Sequence, residues 1–324
     1  MDAMRLTETQ ALEILRVIMT TRAIEERLIR LYHQGKIYGG VYTGYGQEGT
    51  GAAIAALAGP HDLFAPCIRN LSLHIGRGET PLNVFRQWLG REKGPTGGRD
   101  GNVHFGNMDH GVYTMISHLG AMIPVVAGGT LARRRQGRDS VGFAFIGDGG
   151  TSTGDFHEAV NFAAVRDIPL VVIIENNHYA YSTPSAHQYR CRNLIDKAIG
   201  YGIEGVTVDG NDALAMAETL RPHIDDLRRT PRPLLVEADT MRMRGHGEHD
   251  DFSYVPKELL ETYAARDPIL VCRKRLLEAG LLDAAGAEAI RETCAAGIEQ
   301  AYRTALAESR PHPSTLCHGV YADG

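Results

Sequence analysis

The chain has no CxxC pair. Its cysteines, Cys67, Cys191, Cys272, Cys294 and Cys317, are odd in number and scattered. That argues against a disulfide framework or a zinc knuckle and points to a reducing, cytoplasmic location. No apolar run approaches the roughly 20 residues of a membrane span. The opening stretch MDAMRLTETQALEILRVIM has no long apolar segment and no cleavage-site pattern, so neither secretion nor a membrane is expected. Excess positive charge is lacking too: 34 Lys and Arg stand against 39 Asp and Glu, a net charge of −5. Such a balance gives no field that draws phosphate backbones, so nucleic acid is not an expected partner. The run of arginines at 133–135 ends a helical pattern and reads as a solvated face. There is no internal repeat and no low-complexity segment.

What remains is an ordinary soluble composition, 43% hydrophobic and 23% charged, over 324 residues. That length suits one large α/β domain or two small ones. Residues 7–34 read as an amphipathic helix capped by Thr7, with Leu12, Leu15, Ile18 and Met19 at helical spacing. A glycine-rich passage follows, then helical patterns at 49–58 and 80–90, a long polar loop from Glu92 to His118, and a helix at 121–136. The middle is the most regular part: VGFAFI (141–146), PLVVII (169–174), GVTVDG (205–210) and PLLVEADT (233–240) alternate with helical segments. Strand and helix in this rhythm predict an α/β fold, a parallel sheet with helices on both faces. The predicted organisation is a helical N-terminal segment (1–40), an α/β domain (41–255) and a helical C-terminal region (256–324), with Gly280 and Gly286 as breaks.

The chemistry concentrates in GDGGTSTGDFHEAVNFAAVRDIPLVVIIENNHYAYSTP (147–184). Asp148 follows one buried strand, and Asn176 and Asn177 follow the next. Ligands of open parallel sheets bind outside the carboxyl ends of the strands, so both loops open on one crevice. Gly147, Gly149 and Gly150 let the backbone approach a ligand, and the following helix offers N–H groups to an anion. One carboxylate, one amide oxygen and a nearby backbone carbonyl form the sparse oxygen set that holds Mg²⁺ when a phosphate supplies the other ligands. GDG alone reads better as a turn. The pairing of GDG with NN across 26 residues, each at the end of a buried strand, is more specific. No GxGxxG opens the first helix, so this is not the dinucleotide fingerprint.

GDG-x26-NN resembles the thiamine diphosphate signature. ENNHYAYSTPSAHQYR, with VDGND at 208–212, resembles the α subunit of the E1 component of 2-oxo acid dehydrogenase complexes, nearest its branched-chain and acetoin branches. YTGYGQEGT (42–50), IRN (68–70), GRDGNVHFG (98–106), the loop from His118 to Pro124, GHGEHDD and RDPI (266–269) extend the likeness over nearly the whole chain. The resemblance implies thiamine diphosphate and Mg²⁺, with Asp148, Asn177 and the Tyr179 carbonyl on the metal. It places Gly147, Gly149, Gly150 and Arg69 at the diphosphate and Ser117 and Leu119 at the aminopyrimidine. Leu119 by position alone reads equally as a wedge or as core. His246 is implied as the catalytic histidine near the diphosphate. His118 stands where the family often has other residues; it reads as facing the substrate, a catalytic candidate, or as filling the loop, with the first preferred. The implied activity is decarboxylation of a 2-oxo acid with acyl transfer to lipoamide. In the family the activating glutamate comes from a separate β subunit, and no candidate for it is found in this chain. An α2β2 heterotetramer, with a possible lipoylated E2 acyltransferase as a further partner, is therefore implied. Gly247 stands where regulated members carry a phosphorylatable serine, and Ile68 where the family has an aromatic.

RGHGEHDD (244–251) looks at first like a metal site. His246 and His249 are three apart, the HExxH register is absent, and Gly245 and Gly247 disfavour a helix. It reads instead as a loop carrying one active-site histidine, with Glu248, Asp250 and Asp251 as mainly structural acids. Within enzymes the alternative activity is acetoin cleavage with transfer to lipoamide or a dye. Other classes offer a non-catalytic stabilising subunit and a metal-dependent hydrolase built on the His/Asp loop. Intact Asp148, Asn177, Arg69 and His246 argue against the first, and the loop's spacing against the second.

Overall fold

The computed structural model describes residues 6–319; the ends of the predicted 1–40 and 256–324 segments lie outside the described residues. α1 (Glu8–His33) is followed by α2 (Glu48–Leu57), β1 (Leu63–Ala65), α3 (Leu71–Gly76) and α4 (Pro81–Trp88). A long irregular stretch with one 3-10 turn (Met108–His110) leads to α5 (Met122–Arg135). Then come β2 (Gly142–Gly147), α6 (Gly154–Val165), β3 (Leu170–Asn176) and a hairpin of β4 (Tyr179–Ala180) and β5 (Thr183–Pro184). α7 (Lys197–Tyr201), β6 (Glu204–Asp209), α8 (Ala213–Arg229) and β7 (Leu234–Asp239) complete the sheet region, and α9 (Lys257–Ala264), α10 (Pro268–Glu278) and α11 (Ala284–Ala307) follow.

The main sheet is five-stranded and parallel, in the order β1-β2-β3-β7-β6, so β7 inserts between β3 and β6. Strand periodicity explains how it is covered. Phe143, Phe145, Val171, Ile173, Leu234 and Val236 join one core with α1, α2 and α8. Ala144, Ile146, Leu170, Val172, Ile174 and Leu235 join another with α5 and α6. Helices on both faces are thus what the apolar runs require. Thr7 caps α1 as expected, its hydroxyl accepting from Gln10 N at 3.2 Å while Gln10 bonds back. No helix among the described residues is long and apolar enough to cross a membrane.

Two local readings need correction. Gly280 breaks the chain with φ +68°, but Gly286 lies in the first turn of α11, where its N–H donates to the cap Asp283 at 2.6 Å. The arginine run is not a wholly solvated face: Arg133 donates to His61 O at 2.7 Å, and Arg134 to Asp139 at 3.0 Å and Arg228 O at 3.1 Å. These arginines fasten the end of α5 to the loops before β1 and β2.

Candidate active site

The register Gly147↔Glu175 and Asn176↔Asp239 brings the carboxyl ends of β2, β3 and β7 level. Their loops, with the segment after β1 and the polar loop before α5, enclose a cavity of about 650 Å³. Arg69, Ser117, His118, Leu119, Gly147, Asp148, Gly149, Gly150, Asn177, Tyr179 and His246 all line it. The predicted site residues therefore share one space, although they come from five separated segments.

On the β2–β3 side, Asp148 opens a 3-10 turn (Asp148–Ser152) and is only 2% exposed. Its Oδ2 accepts from Gln188 Nε2 at 2.7 Å, and among the described residues it has no ion-pair partner. Burial raises its carboxyl above the usual range, partly offset by the Gln188 bond. Asn177 donates through Nδ2 to Gln47 Oε1 at 3.3 Å, which leaves the amide oxygen to a long 3.4 Å contact from Tyr179 N. Between them His178 takes φ +68°, a left-handed conformation uncommon outside glycine. Its Nε2 is held 3.0 Å from Asp239 Oδ1 and 2.8 Å from Tyr263 OH, which ties the β3 loop to β7 and α9.

Two of the glycines also pack closely against the protein itself. A Cβ on Gly149 would sit 2.5 Å from Ala180 Cβ, and one on Gly150 2.6 Å from Ile146 Cγ1. Their close approach is to the β4–β5 hairpin and to β2, whereas Gly147 meets nothing within 4 Å. The helix α6 starts after the turn and is capped by Thr153, so the backbone facing the cavity is the 3-10 turn itself.

Part of the wall is cationic. Arg69 donates to Thr43 O at 2.8 Å and His246 O at 2.7 Å. Arg242, 2% exposed, donates to Arg244 O at 3.0 Å, Tyr181 O at 3.0 Å and Tyr254 OH at 2.8 Å. Neither guanidinium forms a carboxylate ion pair among the described residues, whereas the buried Arg22 pairs with Glu48 and Asp267. Burial, with Arg242 as neighbour, pulls Arg69 down to about 10. Both approach His246 Nδ1, at 3.3 Å from Arg69 and 3.4 Å from Arg242. Arginine only donates, so Nδ1 accepts and the ring proton rides on Nε2. Burial and these two charges drive the imidazole down to about 4, which keeps it neutral at ordinary pH. Tyr181 packs on the ring at 4.5 Å between centroids.

RGHGEHDD contains no metal cluster: among the described residues no three His, Cys, Asp or Glu are grouped as a metal would need. Its acids hold the loop, but Glu248 is not solvated. That side chain is 3% exposed and forks onto Arg244 at 2.7 and 2.6 Å, with His33 at 3.5 Å. Asp250 accepts from His246 N and Tyr254 OH, each at 2.6 Å, and so fixes the histidine's backbone. Leu119 is 52% exposed at the cavity wall, which removes the core-packing reading. Ile68 also lines the cavity next to Arg69, and the ring of His118 has no hydrogen-bond partner among the described residues.

Arg242, Gln188 and Glu175 escaped the sequence reading. Glu175, the first residue of ENN, accepts from Thr50 Oγ1 and from Asn70 Nδ2 at 2.9 Å, and so binds the Arg69 segment to β3. Its carboxyl is raised by burial. A charged residue at the end of a buried strand was the available signal for Glu175; Arg242 and Gln188 had none.

Residues 16–314 match the model of a family described as dehydrogenase E1 component. The chain is 34% identical to the 2-oxoisovalerate dehydrogenase subunit alpha of Bacillus subtilis, over 99% of this chain and 98% of that one. It is 32% identical to the alpha subunit of acetoin:2,6-dichlorophenolindophenol oxidoreductase from Cupriavidus necator, over 98% and 96%. It is 31% identical to the pyruvate dehydrogenase E1 component subunit alpha of Rickettsia bellii, over 94% and 93%.

Proposed function

This chain belongs to the dehydrogenase E1 component family, and on that premise we propose that it is the α subunit of a thiamine diphosphate- and Mg²⁺-dependent oxidoreductase that decarboxylates a 2-oxo acid and passes the acyl group to lipoamide. One observation carries the reading. A buried carboxylate and two buried guanidinium groups, none of them in an ion pair among the described residues, line one cavity. A divalent metal with a diphosphate satisfies both at once. Asp148, the Asn177 amide oxygen and the Tyr179 carbonyl would hold the metal, and Arg69 and Arg242 would take phosphate oxygens through planar forks. Leu119, exposed at the wall, and Ser117 would meet the aminopyrimidine.

When bound, the cofactor supplies a nucleophilic carbon that accepts the acyl unit as CO₂ leaves. The chain's own residues orient it. The neutral His246 presents Nε2–H as a donor beside the phosphates, and an anion on Arg69 and Arg242 raises its basicity by cancelling the charges that depress it. His118, on the cavity wall with no hydrogen-bond partner on its ring among the described residues, is the substrate-side candidate. The activating glutamate would come from a β subunit in an α2β2 assembly, with a lipoylated acyltransferase as a further partner, in the cytoplasm. The acetoin relative supports a second activity on the same cofactor residues, acetoin cleavage with transfer to lipoamide or a dye.

The test is purification of the chain with whatever binds it, followed by dye reduction. Pyruvate, branched 2-oxo acids, 2-oxoglutarate and acetoin are each supplied with and without thiamine diphosphate and Mg²⁺. A second chain and cofactor-dependent turnover are expected, and the best substrate separates the two activities. Absence of both overturns the assignment.

A further inference from the structure

The loop 99–119 brings three polar side chains into a line, of which only Ser117 has a part in the proposed function. Asp100 Oδ1 lies 3.1 Å from His104 Nδ1, and His104 Nε2 lies 3.3 Å from Ser117 Oγ. His104 and Ser117 line the cavity, while Asp100 is 51% exposed at its rim. The line thus runs from solvent to the cavity wall.

Local backbone chemistry makes it. Asn102 takes φ +51°, which turns the chain so that Asp100 and His104 face each other. Asp100 is held in place by its own carboxylate accepting from Gly101 N at 2.6 Å and by its N–H on Thr96 Oγ1 at 3.3 Å. Arg99 is anchored on Thr315 O at 2.7 Å. None of the three aligned side chains is buried deeply enough to require the others, since water could satisfy each. Their alignment is therefore not something the fold demands.

The tautomer follows from the partners. An ionised carboxylate only accepts, so Nδ1 carries the proton and Nε2 receives the Ser117 hydroxyl. In the protonated ring the second bond reverses: Nε2–H donates to Ser117 Oγ, and the hydroxyl proton turns into the cavity. Base and nucleophile-type hydroxyl within reach, with a third group orienting the base, is the arrangement that moves protons in many enzymes.

We propose that Asp100, His104 and Ser117 form a proton relay between solvent and the cavity, with Asp100 as the positioning residue. The proposal rests on the acyl-transfer reading. In that reaction the electron pair left by decarboxylation opens a dithiolane S–S bond. One sulfur becomes the thioester, the other leaves as thiolate and takes a proton, and one proton is consumed per turnover. Ser117 Oγ–H gives that proton to the leaving sulfur as the imidazolium of His104 returns one from Nε2 to Ser117. Asp100 holds the ring by its Nδ1–H, and water returns the proton to the ring.

Two readouts decide it. In the full chain, nitrogen-15 histidine spectra of wild type and His104→Gln give the His104 signals by difference. A ring protonated on Nδ1 is expected, with that preference lost in Asp100→Asn; protonation on Nε2 overturns the relay. In the assembled enzyme, turnover is compared between a dithiolane acceptor and a dye that takes its protons from water. Loss of a general acid costs about 100-fold, so His104→Gln should lower dithiolane turnover about 100-fold more than dye turnover, with partial recovery in added imidazole. Equal losses with both acceptors overturn the relay and leave His104 a structural or substrate-binding residue. If wild type turns over no 2-oxo acid with either acceptor, the acyl-transfer reading fails and the sulfur step with it. The tautomer then separately retains or removes the line of three groups.

Discussion

Arg242→Met tests whether the cationic wall is an anion site. The substitution keeps an apolar stem of similar length and deletes the buried charge. In the ligand-free chain it removes donors to Tyr181 O and Arg244 O, yet Tyr254 keeps its bond to Asp250 at 2.6 Å. It also relieves the repulsion that helps pull Arg69 down to about 10, so these effects oppose each other. The net fold penalty should stay at about 1–2 kcal/mol. For a bound anion nothing offsets the loss. A unit charge about 4 Å from a guanidinium is worth ~4 kcal/mol at an effective dielectric of about 20. If roughly half survives water refilling the space, affinity falls by ~2 kcal/mol, about 30-fold. The assay is calorimetric titration of the full chain with inorganic pyrophosphate in Mg²⁺, with Arg135→Met on the exposed end of α5 as control. Buried charges are weakly screened, so the difference should persist in high salt. Equal affinities for wild type and Arg242→Met, or a difference abolished by salt, would refute the reasoning.

Asp148→Asn should leave ligand-free stability unchanged or raise it, because a buried carboxylate without a cation is removed. Mg²⁺ affinity in the presence of pyrophosphate should drop about 100-fold, and denaturation and titration together read both effects; retained Mg²⁺ binding counts against the site. His246 stays neutral in the fold down to about pH 4, while the unfolded chain takes up its proton near 6.5. Stability is therefore lost as pH falls through that window, by about 1–2 kcal/mol after discounting for the half-exposed ring. His246→Gln should flatten the curve there, and parallel curves would remove the effect. Gly149→Ala forces a methyl against Ala180 Cβ at 2.5 Å, for about 1–3 kcal/mol of destabilisation. Gly149→Ala with Ala180→Gly should recover part of it in thermal melts, and strict additivity would show that the contact is not the cause.

How far residues announced this arrangement depended on whether their signal was local. Phe143 and Phe145 against Ala144 and Ile146 alternate within six residues, and the two faces of the sheet follow directly. GDG and NN could be read because each sits at the end of such a run. β1 could not: Leu63–Ala65 is a strand only through its register with Gly142–Ala144, far along the chain. Arg242 lies in TMRMR, where nothing distinguishes a buried guanidinium from an exposed one. Its burial is set by Tyr181, Tyr254 and His246 arriving from other segments. The Asp100–His104 pair did carry a local cue, DGN followed by a histidine, which only the left-handed Asn102 converts into contact.

The place of β7 in the sheet has a consequence for synthesis. The last strand to leave the ribosome fills the middle of the sheet, between β3 and β6. Until it arrives, β3 keeps a bare edge and β6 has no partner in the sheet, and the segment with Arg242 and His246 does not yet exist. A nascent chain ending in α8 has ample apolar surface for collapse but no continuous sheet, with open edges ready to pair with other chains. Sheet closure is then a late, near full-length event. Products truncated before β7 should aggregate or be held by chaperones rather than fold as a smaller unit.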